Sequence, residues 1–415
     1  MSSPLAAEAK LDPEIELLIP ARDVEEPELS IVIPALNESL TITEFVAWCH
    51  EGLQAAGIAG EILIVDSSTD DTAALAVAAG ARVLRVPKRG LGRAYMDAIP
   101  YIRGRWVLMG DADCTYDFRR LAPFVDSFRD GYEYVMGSRW KGSIEPGAMP
   151  ALHQYFGTPL TTWILNRLYS SRFSDIHCGM RGITLDALKR MDLQSQSWEY
   201  ASEIVLKSVH MDLKTTEVPV TFLKDREGRL SHHKRSGWFS PWSAAWINLR
   251  AMFVYGAEFF VLKPGLIALA LGLLLTVPLS GGPIDVGFAA LGLYTMLLGF
   301  ALSVVGLQSF CLGCLAQVLF DYTGRACGRW SRAFPYTRTV TLAGLMIVAG
   351  VALVLPLVVH WLSHDYTLGD PGATHNHLAV MGLTLAVMGY QLFAFTLILH
   401  GSILATTRRR PNAAD

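Results

Sequence analysis

The sequence predicts an α/β unit built on a mostly parallel sheet, followed by interfacial amphipathic helices and a four-helix transmembrane bundle. Three observations carry this. Between residues 29 and 140, short β-branched runs alternate with helical stretches, the pattern of a parallel sheet covered by helices. Residues 264–405 are dominated by Leu, Val, Ala, Gly and Phe and hold few charges. The stretch that joins the two, 236–260, is dense in Trp and Phe. The mean hydropathy of +0.31 over 415 residues is thus an average of unlike halves. The formal net charge of −3 says less about partners than local charge does.

In chain order, residues 1–28 read as a mobile tail, because Glu14–Pro20 is too short and too acidic in its flanks for a secretory signal. Strands are predicted at Leu29–Ile33, Glu61–Val65, Arg82–Val86, Trp106–Met109 and Tyr134–Met136. Helices are predicted at Leu40–Ala56, Thr72–Ala79 and Gly92–Ile102. This α/β unit spans 29–235.

Open sheets of this kind bind ligands beyond the carboxyl ends of their strands. Five strand ends carry polar residues in order. They are Pro34-Ala35-Leu36-Asn37-Glu38, Asp66 through Thr72, Lys88 through Arg93, Asp111-Ala112-Asp113 and Gly137-Ser138-Arg139. Each has a bland reading alone. Asp70 and Asp71 also suit a helix N-cap, and Gly90-x-Gly92 lacks the third glycine of a dinucleotide fingerprint. The joint pattern is stronger. Asp111-x-Asp113 has a concrete chemistry: paired carboxylates beside a diphosphate repel it unless a divalent cation, Mg²⁺ or Mn²⁺, lies between them.

Residues 236–262 are predicted to form amphipathic helices in the membrane interface. Trp238, Trp242 and Trp246 recur every four residues along one side of a helix, and Trp favours the headgroup layer. A buried core helix is the competing reading. Residues 263–406 hold four runs long enough to span a bilayer: Pro264–Ser280, a span within Val286–Phe320, Thr339–Val359 and Leu378–Thr406. Arg325, Arg329, Arg332 and Arg338 lie between the second and third, and residues 407–415 form a basic tail. The other two connections hold no Lys or Arg. The basic ends therefore face the cytoplasm, and the α/β unit sits on that side. Cys311-x-x-Cys314 lies in an apolar run without a second pair, so small residues packing a membrane helix explain it better than a zinc site. No structural disulfide is expected.

At this point Leu29 to about Leu262 resembles the family 2 glycosyltransferases of GT-A, Rossmann-like fold, and within them the polyprenyl-phosphate (dolichyl-phosphate) hexose synthases. The matching pieces are Ile33 through Glu38, Val65-Asp66 through Asp70, Gly90-Leu91-Gly92, Gly110 through Asp113 and Gly137-Ser138-Arg139. Further on come Asp175, Cys178-Gly179-Met180-Arg181, Glu199 through Ile204 and Glu217-Val218-Pro219. The resemblance implies that Pro34, Leu36, Glu38, Asp66, Asp70, Gly92 and Ala112 hold the nucleotide, with Asp111 near its ribose. Asp111 and Asp113 would hold the metal and, with Arg139 and Arg181, form the catalytic set. Arg139, Arg226, Arg229, His232, Lys234 and Arg235 would meet the acceptor phosphate; a generic anionic-lipid patch is the alternative for the basic run. Asp175, Glu199 and Glu203 are candidates for the sugar hydroxyls. Thr115 stands where relatives often place a further metal-binding Gln.

The implied activity is inverting transfer of a hexose from a UDP-glucose or GDP-mannose type donor to a polyprenyl phosphate. The implied partners are donor, acceptor and bilayer, with a homo-oligomer open and no nucleic acid. A processive polysaccharide synthase, or a lipid carrier with an inactive transferase unit, are the alternatives. The first lacks its Gln-x-x-Arg-Trp motif at Arg139-Trp140 and Arg329-Trp330.

Overall fold

The computed structural model describes residues 12–151, 153–169, 171–226, 256, 258–287, 289–321, 324–367 and 370–408. The chain folds as two compact units, Met1–Met252 and Phe253–Asp415.

The first unit is an eight-stranded sheet with helices between its strands. In chain order it runs β1 (Glu16–Leu18), β2 (Leu29–Ala35), α1 (Ile42–Ala56), β3 (Gly60–Asp66), α2 (Thr72–Ala78), β4 (Arg82–Arg85), α3 (Leu91–Ala98), β5 (Trp106–Met109) and α4 (Ala122–Arg129). It continues with β6 (Tyr134–Ile144), α5 (Thr158–Tyr169), β7 (Arg181–Thr184), α6 (Leu185–Met191), α7 (Tyr200–His210) and β8 (Thr215–Phe222). The strand order is β1-β4-β3-β2-β5-β7-β6-β8. β4, β3, β2 and β5 are mutually parallel, and β1 and β7 run against their neighbours. β2, β3 and β5 are buried apolar runs: Ile31, Val32, Ile33, Leu63, Ile64, Val107 and Leu108 are wholly buried. Strands covered on both faces read this way. α1 turns Ile42, Phe45, Val46 and Cys49 to this core. It ends at Gly57 in the left-handed region, φ 57°, where the Gly57 N–H donates to the Gln54 carbonyl and the Ile58 N–H to the Leu53 carbonyl.

Three expectations need correction. Residues 12–28 are not a loose tail: β1 pairs antiparallel with β4 at the sheet edge. Arg89 binds Asp12 and Glu14, and Arg103 binds Asp23. α3 stops at Ala98 and gives way to a tighter turn, Ile99–Tyr101, because Pro100 has no N–H for a further helical bond. β6 runs past Met136 to Ile144, with an irregularity between Ser138 and Ser143 where it pairs with β8.

The second unit holds α8 (Lys263–Thr276), a small hairpin β9 (Ile284–Asp285) and β10 (Ala290–Leu291), α9 (Leu293–Leu319), α10 (Arg325–Ala333), α11 (Tyr336–Ser363) and α12 (Thr374–Arg408). Among the described residues, four helical segments are long and apolar enough to span a bilayer: Phe259–Gly281, Leu293–Leu319, Tyr336–Ser363 and Thr374–Thr406. The first begins five residues before the predicted Pro264, since Glu258–Leu262 is already helical. Small residues let the helices touch. A Cβ at Gly272 would lie 2.3 Å from the Ser303 nitrogen, and one at Gly306 2.3 Å from that of Leu269. Gly350 and Gly382 do the same for α11 against α12. Cys311 and Cys314 sit in the buried cluster of this bundle with Leu307, Leu392 and Phe395. Lipid offers no hydrophobic drive between helices, so close backbone approach supplies the packing.

Candidate active site

The carboxyl ends of β2, β3 and β5 are stapled to each other by side chains of their loops. Asn37 adopts the left-handed region, φ 56°, which Asn tolerates better than most residues. Its N–H donates to Ser68 Oγ at 2.7 Å, and its Oδ1 accepts from the Thr69 N–H at 2.9 Å. The Glu38 N–H donates to Thr72 Oγ1 at 2.9 Å. These bonds join the loop after β2 to the loop after β3. Thr41, at the start of α1, donates from Oγ1 to the Ala112 carbonyl at 2.9 Å. That bond ties the loop after β2 to Asp111-Ala112-Asp113. The candidates Pro34, Leu36, Glu38, Asp66, Asp70, Asp111, Ala112 and Asp113 therefore belong to one braced edge.

The acid pair is tightly seated. The Tyr95 hydroxyl on α3 donates to the Gly110 carbonyl at 3.2 Å. Asp113 Oδ1 accepts from the N–H and the hydroxyl of Thr115, at 3.0 and 2.6 Å. Thr115 thus fixes the Asp113 rotamer. Cys114 takes the left-handed region, φ 58°, reversing the chain immediately after the pair. On the far side Gly179 lies directly against Asp111: a Cβ there would sit 2.5 Å from Asp111 Oδ2. The Gly179 N–H donates to the Tyr116 hydroxyl at 2.7 Å.

Asp66 is buried, and burial pushes its carboxyl above the ordinary carboxylate range, outweighing the hydrogen bonds from Ser68. Asp70 behaves oppositely. Burial opposes its charge, but bonds from Thr72 and Ser39 hold its carboxyl below the usual range. Its Oδ1 accepts from the Thr72 N–H at 3.1 Å, so Asp70, and not Asp71, braces the start of α2.

The structure redirects several expectations. Arg139 is buried and forks onto Asp175, Nε to Oδ2 at 2.6 Å and Nη2 to Oδ1 at 2.8 Å. Burial opposes the Arg139 charge, but its surroundings, Asp175 included, raise its pKa well above the usual value. The expected phosphate ligand and the expected sugar ligand are thus joined to each other. Arg181 is only 2 % exposed. It clasps the Cys178 carbonyl with Nε and Nη2 and the Ala201 carbonyl with Nη1, so it holds the turn that presents Gly179 to Asp111. Glu203 is wholly buried, pairs with Lys207 at 2.6 Å and accepts from the N–H groups of Gln194 and Ser195. Burial opposes its charge, but those partners keep its carboxyl below the usual range.

Gly90 and Gly92 pack beneath the same 194–197 loop: a Cβ at Gly92 would lie 2.0 Å from the Ser195 carbonyl oxygen. Packing demands these glycines irrespective of any phosphate. Glu199 precedes α7. Arg226 pairs with Glu44 on α1 and lies over the Trp48 ring at 5.9 Å. It is half exposed there, so the pair contributes about 0–1 kcal/mol. Arg229, His232, Lys234 and Arg235, and the aromatic stretch 236–255, lie outside the described residues.

The bracing residues Thr41, Tyr95, Tyr116 and Gly179 were not singled out from sequence. Gly179 appeared only within the matching piece Cys178-Gly179-Met180-Arg181, without a role. The hydroxyls had no signal.

Comparison with known proteins agrees with this architecture. Residues 30–192 match the model of glycosyl transferase family 2, and residues 317–402 match its C-terminal transmembrane region. The low-salt glycan biosynthesis hexosyltransferase Agl6 of Haloferax volcanii is 34% identical over 357 residues, covering 85% of this chain and 84% of that protein. A dolichyl-phosphate hexose transferase of the same organism is 26% identical over 201 residues, covering 48% of this chain and 85% of that one. Among solved structures, mannosyl-3-phosphoglycerate synthase from Rubrobacter xylanophilus is 22% identical and covers 54% of this chain and 72% of its own, with a TM-score of 0.42. The chain belongs to glycosyltransferase family 2 and is a membrane protein with four candidate transmembrane helices among the described residues.

Proposed function

We propose that this glycosyltransferase moves a hexose, with inversion, from a nucleotide-sugar to a polyprenyl phosphate at the cytoplasmic face of the membrane. The observation that carries the reading is the braced acid pair Asp111/Asp113, at the carboxyl edge of the sheet, in a chain that continues into four spans. The names of two relatives, a hexosyltransferase of glycan biosynthesis and a dolichyl-phosphate hexose transferase, support the class of donor and acceptor. UDP-glucose is the first donor to test and GDP-mannose the second.

The donor set fits a divalent cation of the Mg²⁺ or Mn²⁺ kind. Among the described residues no group of three or more His, Cys, Asp or Glu side chains forms a metal cage. Two carboxylates suit an ion that takes its remaining oxygens from substrate phosphates and water. Bound there by Asp111 and Asp113, the ion supplies Lewis-acid neutralisation of the departing diphosphate.

The chain's own residues do the rest. Glu38, Asp66 and Asp70 line the nucleotide edge, with Pro34, Leu36 and Ala112 as its backbone walls. Thr115 holds Asp113, and Gly179 leaves Asp111 its space. Glu199 is the carboxylate assigned to the sugar hydroxyls. The basic run from Arg226 to Arg235 meets the acceptor phosphate. A phosphate oxygen attacks the anomeric carbon, the bond to the nucleoside diphosphate breaks, and the diphosphate leaves. Phosphate monoesters have a second pKa of about 6, so the nucleophile is already ionised and positioning replaces a strong general base.

The test uses membranes containing the full chain, polyprenyl phosphate and a panel of radiolabelled nucleotide-sugars. One donor should give a single-sugar lipid that is labile to mild acid, and Asp113→Ala should give none. Polymeric product, or no lipid-linked product from any donor, would overturn the reading.

A further inference from the structure

α10 (Arg325–Ala333) joins the second and third spans and has two unlike faces. Arg325, Arg329 and Arg332 fall at spacings of four and three, which places them on one side of a helix, and all three are at least partly exposed. The opposite side is aromatic. Trp330 lies 5.8 Å from the Phe310 ring and 6.1 Å from that of Phe334. Phe334 in turn lies 5.1 Å from Phe395, so α10 is anchored to the cluster formed by α9 and α12. A single neutral side chain sets the orientation: Gln317 Oε1 accepts from Arg329 Nη2 at 2.7 Å and from Trp330 Nε1 at 2.8 Å. Arg332 Nε donates to the Gly328 carbonyl of its own helix. Among the described residues, the contacts of Arg329 and Arg332 are neutral: the Gln317 amide oxygen and the Trp330 ring for the first, the Gly328 carbonyl for the second. The nearby Asp321 accepts from the N–H groups of Gly324 and Cys327 at the start of α10.

We propose that the arginine face of α10 is a docking site for the phosphates of anionic phospholipids. The inference rests on the bundle lying in a bilayer and not on the reaction. α10 lies between the end of one span, Leu319, and the start of the next, Tyr336, which is the depth of the headgroup layer. Trp330 holds it there through Phe310, Phe334 and Gln317. The guanidinium fork suits phosphate oxygens, and the partners given to Arg329 and Arg332 so far are neutral. Arg338, exposed at the start of α11, extends the same charge along the boundary.

The experiment uses the full chain, purified in a neutral detergent at about 0.1 M salt, where charges act over about 10 Å. Native mass spectrometry follows lipid retained after addition of phosphatidylglycerol, phosphatidylcholine, polyprenyl phosphate or inorganic phosphate. Wild type should retain phosphatidylglycerol over phosphatidylcholine. Arg329→Gln with Arg332→Gln should weaken that retention about fivefold per lost charge, and the Lys pair should recover most of it. Should the Gln pair fail to fold, wild type at about 1 M salt, with a screening length near 3 Å, gives the same reading by releasing the lipid. Equal retention by wild type and the Gln pair overturns the proposal. So does salt-insensitive retention, equal retention of phosphatidylcholine, or binding of polyprenyl phosphate without phosphatidylglycerol.

Discussion

The two ends of the same sheet handle buried charge in opposite ways. At the amino end, Glu61 at the start of β3 accepts from Ser30 Oγ at 2.6 Å, from the Arg103 N–H at 2.9 Å and from Arg103 Nε at 2.7 Å. It also pairs with the buried Arg82. Burial opposes its charge, yet these partners hold its carboxyl below the usual range. At the carboxyl end of that strand, five residues on, Asp66 is also buried but has only Ser68 as a hydrogen-bond donor. Its carboxyl is held above the usual range. Desolvation is answered within the protein at one end and left under-answered at the other. A carboxylate so placed is suited to receive a ligand donor. Stability and function are thus separated along about 17 Å of strand.

The separation predicts that substitutions at the carboxyl end remove activity without unfolding, while those at the amino end do the reverse. The largest effect is expected at the acid pair. Asp113→Ala should reduce glycosyl transfer by about a thousandfold or more, since metal stabilisation of a leaving group is worth several kcal/mol. The thermal midpoint of the soluble unit should barely move. Chelation by EDTA should have the same effect in wild type and be reversed by Mg²⁺ or Mn²⁺. A loss of folding on the scale of the loss of activity would erase the contrast between the two ends.

Gly179→Ala comes next. The new Cβ would meet Asp111 Oδ2 at 2.5 Å, so the carboxylate must swing away from its seat. Displacement of about 1 Å at a reacting centre costs about a hundredfold. Activity should fall by that order, with weaker metal dependence and native circular dichroism. Unchanged metal affinity would show that Asp111 accommodates the methyl by another route.

At the amino end, Glu61→Ala takes from the buried Arg82 its nearest carboxylate and leaves it the Tyr101 carbonyl at 3.1 Å and Asp23 at 3.9 Å. Breaking a buried pair in this way costs about 3–5 kcal/mol, which corresponds to a midpoint lower by about 10 °C for a unit of this size. The activity of the molecules that remain folded should be unchanged at low temperature. The sign with pH follows from the depressed carboxyl. Its stabilisation is present above the ordinary value of 4.5 and is lost as pH falls through its lower folded value. Wild type and variant should therefore converge in strong acid.

The division of labour was only partly legible in the residues. Leu29–Ile33 and Glu61–Val65 read as strands because the runs are short and largely apolar, and the sheet extends them to Leu29–Ala35 and Gly60–Asp66. The four spans read as spans because length and hydropathy alone identify them. The edge pair β1–β4 did not, since Glu16–Leu18 is three residues long and is made a strand by a partner far along the chain. Arg139 stood out as a cation after a strand and Arg181 through the family resemblance, but a sequence does not say whether a long side chain turns to solvent or inward. Asp175 and the carbonyls of Cys178 and Ala201 decide that, and all are distant in sequence or belong to the backbone. Gly92 looked like part of a phosphate loop because the approach of Ser195, about a hundred residues later, leaves no local mark.

The smallest effect is the sharpest test of the comparison. Asp66→Asn keeps the shape and an oxygen for the Ser68 N–H but removes the buried charge. A carboxyl whose folded pKa is raised makes the protein lose stability as pH climbs from below its unfolded value, 3.8, through its folded value. At pH 7 wild type carries the whole penalty and the amide variant none. The variant should therefore melt higher than wild type at pH 7, and the gap should close as pH falls toward 3.8. Donor affinity should fall at the same time, because a nucleotide N–H would lose a charged acceptor. If the variant melts lower than wild type at every pH, Asp66 belongs with Glu61 as a structural charge, and the two ends of the sheet are alike.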